Sequence, residues 1–203
     1  HFVFDFDDTL ANAADFNGRI FADTVKRHFA DVNEETLRDI HAAMRGESMI
    51  SNFQRVIDDL NLSGISADQL REENENLQQE CFQSVSLFPY AKDFLESLKK
   101  KSKILSMISN RQTGSLLAIL ENNGVKDIFD NIIPCFDLGY EKDHPQAVIG
   151  LMKRYLDPKE SYIYVGDSAT DARFARNAGI DYVIIDHYLN DQKFYYHLIE
   201  SFA

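Results

Sequence analysis

Four short apolar runs punctuate the chain, and each closes on a polar residue. They are His1 to Phe6, with Asp5 and Asp7 at its end, Lys103 to Ile108 before Ser109, Tyr162 to Gly166 before Asp167, and Tyr182 to Ile185 before Asp186. A shorter run, Asn131 to Cys135, reads as a fifth. Their β-branched and aromatic residues are nearly continuous, the pattern of strands covered on both faces by helices. Helical spacing fills the gaps. Leu116, Leu117, Ile119 and Leu120 give one buried face before a stop at Gly124, and Val148, Met152, Tyr155 and Leu156 give another. Ala172 to Ala178 forms a third helix, closed by Gly179. Strand and helix alternating over residues 100 to 190 predict βαβ units and a parallel, Rossmann-like α/β core. Ligands of such sheets gather beyond the carboxyl ends of the strands, where these polar residues lie.

Residues 13 to 86 have a different character and read as helices only. Asn33 and Ser66 are expected N-caps, Ser66 with Gln69 in capping-box position, and Gly46 and Gly64 mark breaks. The expected organisation is a core of residues 1–12 and 87–203 with an inserted α-helical cap domain at 13–86. The cap contains a single lysine, Lys26, among many acids. Leu70, Leu77 and Cys81 make a thin apolar stripe, so Arg71 to Glu80 is expected to be a solvated face. Pro89 is expected in the first turn of a returning helix that runs from Tyr90 to Lys100.

Length and composition fit a folded globular chain with one main core: 203 residues, 44% hydrophobic and 27% charged. A formal net charge of -12 repels nucleic-acid backbones and anionic lipid surfaces, so neither is an expected partner. No apolar stretch reaches the length of a membrane span, and no basic segment precedes the first strand, which points to a cytoplasmic protein. Cys81 and Cys135, far apart and without metal-ligand spacing, fit buried thiols in a reducing compartment. The chain opens on His1 instead of Met, so residues are expected to precede the first strand. No feature specifies an oligomeric state.

The segment Phe4 to Leu10 places Asp5, Asp7 and Asp8 at the end of an apolar strand. Alternate side chains of an extended chain share a face, so Asp5 and Asp7 would enter one crevice while Phe4 and Phe6 pack opposite. Like charges so close repel unless a cation neutralises them, and Mg²⁺ suits oxygen ligands. An acidic turn that caps the following helix is the structural alternative. A second acidic group, Gly166-Asp167-Ser168-Ala169-Thr170-Asp171, again follows an apolar strand and opens a helix. Two such loops at one sheet edge favour a shared metal site.

The ordered set resembles the haloacid dehalogenase superfamily, in the phosphoglycolate-phosphatase-like branch with a helical cap, over essentially the whole chain. In that family the first motif is Asp-x-Asp-x-Thr, here Asp5-Phe6-Asp7-Asp8-Thr9. Ser109 stands where a Ser or Thr ends the second strand, Lys142 where a lysine follows, and Asp167 and Asp171 in the closing acidic loop. The resemblance implies a phosphatase in which Asp5 is the nucleophile and Asp7 the acid and base. Asp5, the Asp7 carbonyl and Asp167 would hold Mg²⁺, and Ser109, the Asn110 amide and Lys142 would bind the phosphoryl group of a small phosphate ester. Asp171 would orient Lys142 or a metal-bound water, and Thr9 would steady the loop. The family's Lys-Pro-x-Pro reads Lys142-Asp143-His144-Pro145 here, without the first proline. His144 and His187 are given no role. In the cap, Met44-Arg45-Gly46-Glu47-Ser48 is the expected specificity loop, with Arg45 and Gly46 toward substrate; the alternative is a helix C-terminal arginine beside a capping glycine.

The haloacid dehalogenases lack the equivalent of Asp7, which disfavours dehalogenation. Sugar-phosphate mutases carry Gly-Val-Ser-Arg where this chain has Gly46-Glu47-Ser48-Met49, which favours hydrolysis over mutase activity. Phosphonate cleavage needs a cap lysine, for which Lys26 is the sole candidate. From other classes stand a phospho-accepting receiver and a regulatory protein without turnover.

Overall fold

The computed structural model describes residues 1–44, 47–139, 142, 144 and 146–185. Arg45, Gly46, Asp143, Pro145, Asp186 and His187 lie outside the described residues. The elements in chain order are strands β1 (Phe2–Phe4) and β2 (Ala11–Asn12), helices α1 (Ala14–Lys26), α2 (Glu34–Ala43), α3 (Met49–Asp59) and α4 (Ala67–Cys81), then strand β3 (Ser86–Leu87) and helix α5 (Ala91–Lys100). They continue as β4 (Leu105–Ser109), α6 (Thr113–Asn122), β5 (Asn131–Pro134), α7 (Gln146–Tyr155), β6 (Ile163–Gly166), α8 (Ala169–Ala178) and β7 (Asp181–Ile184).

Five strands form one parallel sheet in the order β5-β4-β1-β6-β7, with Phe4 opposite Met107 on one side and Val165 on the other. Every residue of β1 and β4 is buried, which is why these runs carry no polar alternation. Period-2 geometry divides their side chains between two apolar clusters. Phe2, Phe4, Leu105 and Met107 pack with Phe94, Leu95 and Leu98 of α5 and Leu116, Ile119 and Leu120 of α6. Val3, Ile108 and Tyr164 pack with Val148 and Leu151 of α7 and Phe174 and Ala175 of α8. The core is therefore three layers, α/β/α. Among the described residues no helix is long and apolar enough to cross a membrane.

Helices α1 to α4 bury a third cluster of their own, around Phe21, Val25, Leu37, Phe53, Val56 and Leu70, with Phe21 stacked on Phe53 at 4.6 Å. Asn33 caps α2 by accepting from the Thr36 N–H at 3.1 Å, and Ser66 and Gln69 complete the capping box of α4. Gly64 takes a φ of 88° between α3 and α4, a conformation open to glycine at little cost. The segment is not helical throughout: β3 pairs antiparallel with β2, so a two-stranded ribbon ties the two points where the chain leaves and rejoins the sheet.

Three expectations change. Leu156 is 88% exposed and leaves the face of α7. Its φ of 57° turns the chain left-handed just after the helix ends and swings the side chain into solvent. Pro89 precedes the helix instead of opening it, because the first helical bond, Phe94 N–H to the Tyr90 carbonyl at 2.9 Å, makes Tyr90 the N-cap of α5. Arg71 to Glu80 is not a solvated face. Asn74, Glu75 and Gln78 are buried with Leu70 and Leu77, because this side of α4 lies over the carboxyl edge of the sheet and bonds to the core.

Candidate active site

β1, central in the sheet, delivers Asp5 directly after Phe4, and the Asp5 N–H donates to the Val165 carbonyl at 2.9 Å. The chain then turns through Asp8, whose φ of 56° lies in the left-handed region that aspartate tolerates better than most residues. The Asp8 carboxylate accepts from the N–H groups of Ala13 at 3.2 Å and Ala14 at 2.8 Å. Ala13 offers α1 no side-chain cap. Asp8 meets that helix-capping need, and Asp5, Asp7 and Asp8 line a cleft of about 400 Å³ between the sheet edge and helices α1 to α4.

β6 ends at Gly166, and Asp167 and Asp171 follow where α8 begins. Ser168 caps α8 by accepting from the Asp171 N–H at 3.2 Å. Asp171 Oδ2 in return accepts from the Ser168 N–H at 2.9 Å, the Ser168 hydroxyl at 2.6 Å and the Asp167 N–H at 3.1 Å. Asp171 Oδ1 accepts from the Tyr164 hydroxyl at 2.9 Å and lies 2.8 Å from Lys142 Nζ. Lys142 Nζ is also 2.8 Å from Asp5 Oδ1, and its side chain is only 2% exposed. The Lys142 N–H donates to Asn110 Oδ1 at 2.7 Å, so Asn110 steers the lysine through its backbone. Thr9 Oγ1 lies 3.4 Å from Asp5 Oδ2 and 3.5 Å from Asp167 Oδ1, between the two acidic loops. Ser109, buried at the end of β4, accepts from the Arg111 N–H at 3.1 Å.

Asp5, Asp167 and Asp171 each bring an oxygen into a group that spans no more than 4.8 Å. Among the described residues one ammonium, Lys142, pairs with this group, through Asp5 and Asp171. Burial works against that charge, yet Asp171 and Asp5 outweigh it and hold Lys142 well above the usual lysine range. Burial also pushes the Asp171 carboxyl up, but Lys142 and the Ser168 donors bring it below the usual carboxylate range. Asp5 goes the other way. Burial drives its carboxyl well above the usual range, Lys142 opposes this, and Asp171 and Asp167 add repulsion. With all three carboxylates ionised the cluster would carry two more negative than positive charges, a state that burial and repulsion oppose at Asp5 and that a divalent cation would relieve; the all-oxygen donor set suits Mg²⁺. Both oxygens of Asp171 accept from donors at 2.6 to 3.1 Å, whereas the contacts of Thr9 with Asp5 Oδ2 and Asp167 Oδ1 are long, at 3.4 and 3.5 Å.

Other sequence-derived sites fall differently. Arg45 and Gly46 lie outside the described residues, whereas Glu47 beside them accepts from Arg173 of α8 at 2.8 Å. His144 accepts from the Gln146 N–H at 3.3 Å near the start of α7. Asp7 is engaged by a residue that sequence reasoning missed. Arg111, two positions after Ser109, donates from Nε to Asp7 Oδ2 at 3.1 Å and from Nη2 to Asp7 Oδ1 at 2.7 Å. Also missed are the buried amides Asn17, Asn52, Asn74 and Gln78, which line the far wall of the cleft. The available signal was the i, i+4 spacing of Asn74 and Gln78 beside the apolar positions Leu70 and Leu77, a polar group sharing the buried face.

A parallel sheet with acidic loops and a buried lysine converging at its carboxyl edge, beneath a helical segment, defines a Rossmann-like α/β protein with a charged cleft. The chain belongs to the haloacid dehalogenase-like hydrolases, whose family model matches residues 2–185. It is 34% identical to a phosphoglycolate phosphatase of Pasteurella multocida over 106 residues, 52% of this chain and 45% of that protein. It is 25% identical to the pyrophosphatase PpaX of Oceanobacillus iheyensis over 95% of this chain and 86% of that protein. The chain spans about half the length of the phosphoglycolate phosphatases it matches. A haloacid dehalogenase-like hydrolase from Bacteroides fragilis has a similar structure, with a TM-score of 0.74 at 26% identity over 97% of this chain and 91% of that one.

Proposed function

We propose that this protein is a Mg²⁺-dependent phosphatase that hydrolyses a small phosphate ester through an aspartyl-phosphate on Asp5. The observation that carries this is the clustering of Asp5, Asp167 and Asp171 around one point, with the buried Lys142 ammonium bridging Asp5 and Asp171. The names of the relatives, phosphoglycolate phosphatase and pyrophosphatase, support the same chemistry. In this reading residues 1–12 and 87–203 form the catalytic core, and 13–86 the cap that selects the leaving group. Cys81 and Cys135 are free thiols, which suits a reducing, cytoplasmic setting.

Asp5 attacks phosphorus, and the bond to the leaving oxygen breaks as that oxygen takes a proton from Asp7. Asp7 then removes a proton from the water that opens the aspartyl-phosphate. Lys142 neutralises the phosphoryl oxygens, Ser109 donates its hydroxyl to them, and Asn110 holds Lys142 in place. Asp171 fixes the other side of the ammonium. Asp5, Asp167 and the Asp7 carbonyl would hold Mg²⁺, which when bound offsets the negative charge that otherwise repels the substrate phosphate.

The test is release of phosphate from an aryl phosphate by wild type, Asp5→Asn and Asp7→Asn, with and without Mg²⁺. Expected are a requirement for the metal and loss of all turnover in Asp5→Asn. Normal turnover by Asp5→Asn removes the nucleophile assignment, whereas a long-lived phosphoprotein without phosphate release identifies a receiver.

A further inference from the structure

Arg111 lies in the loop between β4 and α6, with its side chain 3% exposed. Its guanidinium is held on every edge. Nε and Nη2 fork onto the two oxygens of Asp7, Nη2 also donates to Asn17 Oδ1 of α1 at 2.7 Å, and Nη1 donates to Gln78 Oε1 of α4. Asn17 and Gln78 are neutral, so they position the guanidinium without neutralising it. Among the described residues its ion pair is with Asp7.

This arrangement conflicts with proton transfer by Asp7. An Asp7 that protonates a leaving group must carry an O–H on one oxygen and turn it toward that group, and a protonated oxygen is a poor acceptor for a guanidinium, so at least one fork bond opens during turnover. Opening it strands a buried cation with an unused donor, which is costly unless another acceptor arrives. A negatively charged group on the leaving group supplies that acceptor and a neutral one does not. Arg71, 18% exposed, lines the same cleft and adds a second guanidinium to the field such an anion enters.

Resting on the phosphatase reading above, the structure assigns Arg111 as a specificity-determining residue that exchanges the Asp7 carboxylate for an anionic group on the leaving group. The favoured substrates are phosphate esters or anhydrides whose leaving group carries a carboxylate or a second phosphate. Binding of that anion and release of Asp7 for acid–base work then become one event.

The experiment compares kcat/KM for 2-phosphoglycolate and ethyl phosphate, which differ by a carboxylate in place of a methyl group on similarly poor leaving groups. Inorganic pyrophosphate is the second anionic arm. Wild type is expected to favour at least one anionic substrate by roughly 10- to 100-fold, as charge-assisted hydrogen bonds of this kind allow. In Arg111→Gln the preference for 2-phosphoglycolate is expected to shrink to within about threefold of unity, and that for pyrophosphate, whose leaving group is intrinsically better, to fall by a comparable factor from its wild-type value, with Arg111→Lys intermediate. The arm that loses its preference identifies carboxylate or phosphate as the anion. Because each preference is a ratio measured on one sample, partial misfolding of a variant cancels, and Arg111→Lys carries the test if Arg111→Gln does not fold. Equal losses on all substrates would show that Arg111 only positions Asp7 and would overturn the proposal, as would a wild type without preference. Wild-type protein that releases no phosphate from any of the three overturns the phosphatase reading itself.

Discussion

Replacing Gly166 by alanine tests whether Asp171 is held rigidly. A Cβ built on Gly166 lies 2.6 Å from both Cβ and Oδ2 of Asp171 and closer still to its Cγ, where ordinary contact begins at 3.4 Å. The neighbours are no loose side-chain end. Asp171 is fully buried at the start of α8, and its carboxylate takes donors from Ser168, Asp167, Tyr164 and Lys142 at 2.6 to 3.1 Å. Relief of the clash demands a movement of about 1 Å, enough to stretch several of these bonds beyond useful length. Overpacking and a weakened buried ion pair together cost about 3 kcal/mol, or a fall in Tm of roughly 6–12 °C for a chain of this size. Lys142 loses its second anchor, and if it binds phosphate as proposed, displacement on this scale costs on the order of 100-fold in kcat. The assays are thermal melting and hydrolysis of an aryl phosphate with Mg²⁺, with Asp171→Asn alongside as the variant that removes charge and keeps shape. A Gly166→Ala protein that melts within 2 °C of wild type and turns over within about twofold of its rate would refute the rigid anchor.

Two further outcomes follow from contacts away from Asp5. Glu75 of α4 accepts from the Ser115 N–H at 2.9 Å and the Ser115 hydroxyl at 3.1 Å, which supplies α6 with the N-terminal cap that Gln112 does not. Glu75→Ala is expected to lower stability by about 1–2 kcal/mol in urea unfolding, and a change below about 0.3 kcal/mol would remove the capping role. Burial pushes the Cys135 thiol up to about 12, against the pull of Lys142, while Cys81 is partly exposed. At pH 8 the native protein should therefore expose one thiol to a disulfide reagent on the minute timescale and the denatured protein two, and rapid modification of both in the native state would contradict the buried placement of Cys135.

What the sequence reveals and what it hides divide along physical lines. The central strands are legible because burial leaves a continuous apolar run: β1 and β6 fall within such runs and β4 passes its run by one residue, Ser109. The edge strands β5 and β7 are only partly buried, and β7 begins one residue before its run, at Asp181. The acidic loops are legible because carboxylates at the mouth of a buried strand have few uses, and Asp8, which takes up helix capping, leaves Asp5 and Asp7 without that explanation. Arg111 is hidden for the converse reason. One arginine after a strand resembles any solvated arginine until the fold lays Asp7, Asn17 and Gln78, up to 104 positions away, against its three nitrogens. The amide face of α4 is hidden likewise. Asn74 and Gln78 lower the amphipathic contrast that marks a buried side, because that side closes on a polar cleft instead of an apolar core. Hydrophobic pattern reports where a chain meets its own interior, and it weakens where the chain faces a space made for a ligand. A buried face rich in amides, on a helix inserted between sheet strands β1 and β4, accordingly marks a wall of such a cleft, and under the phosphatase proposal Asn17 and Gln78 on either side of Arg111 are where substrate preference should respond first to substitution.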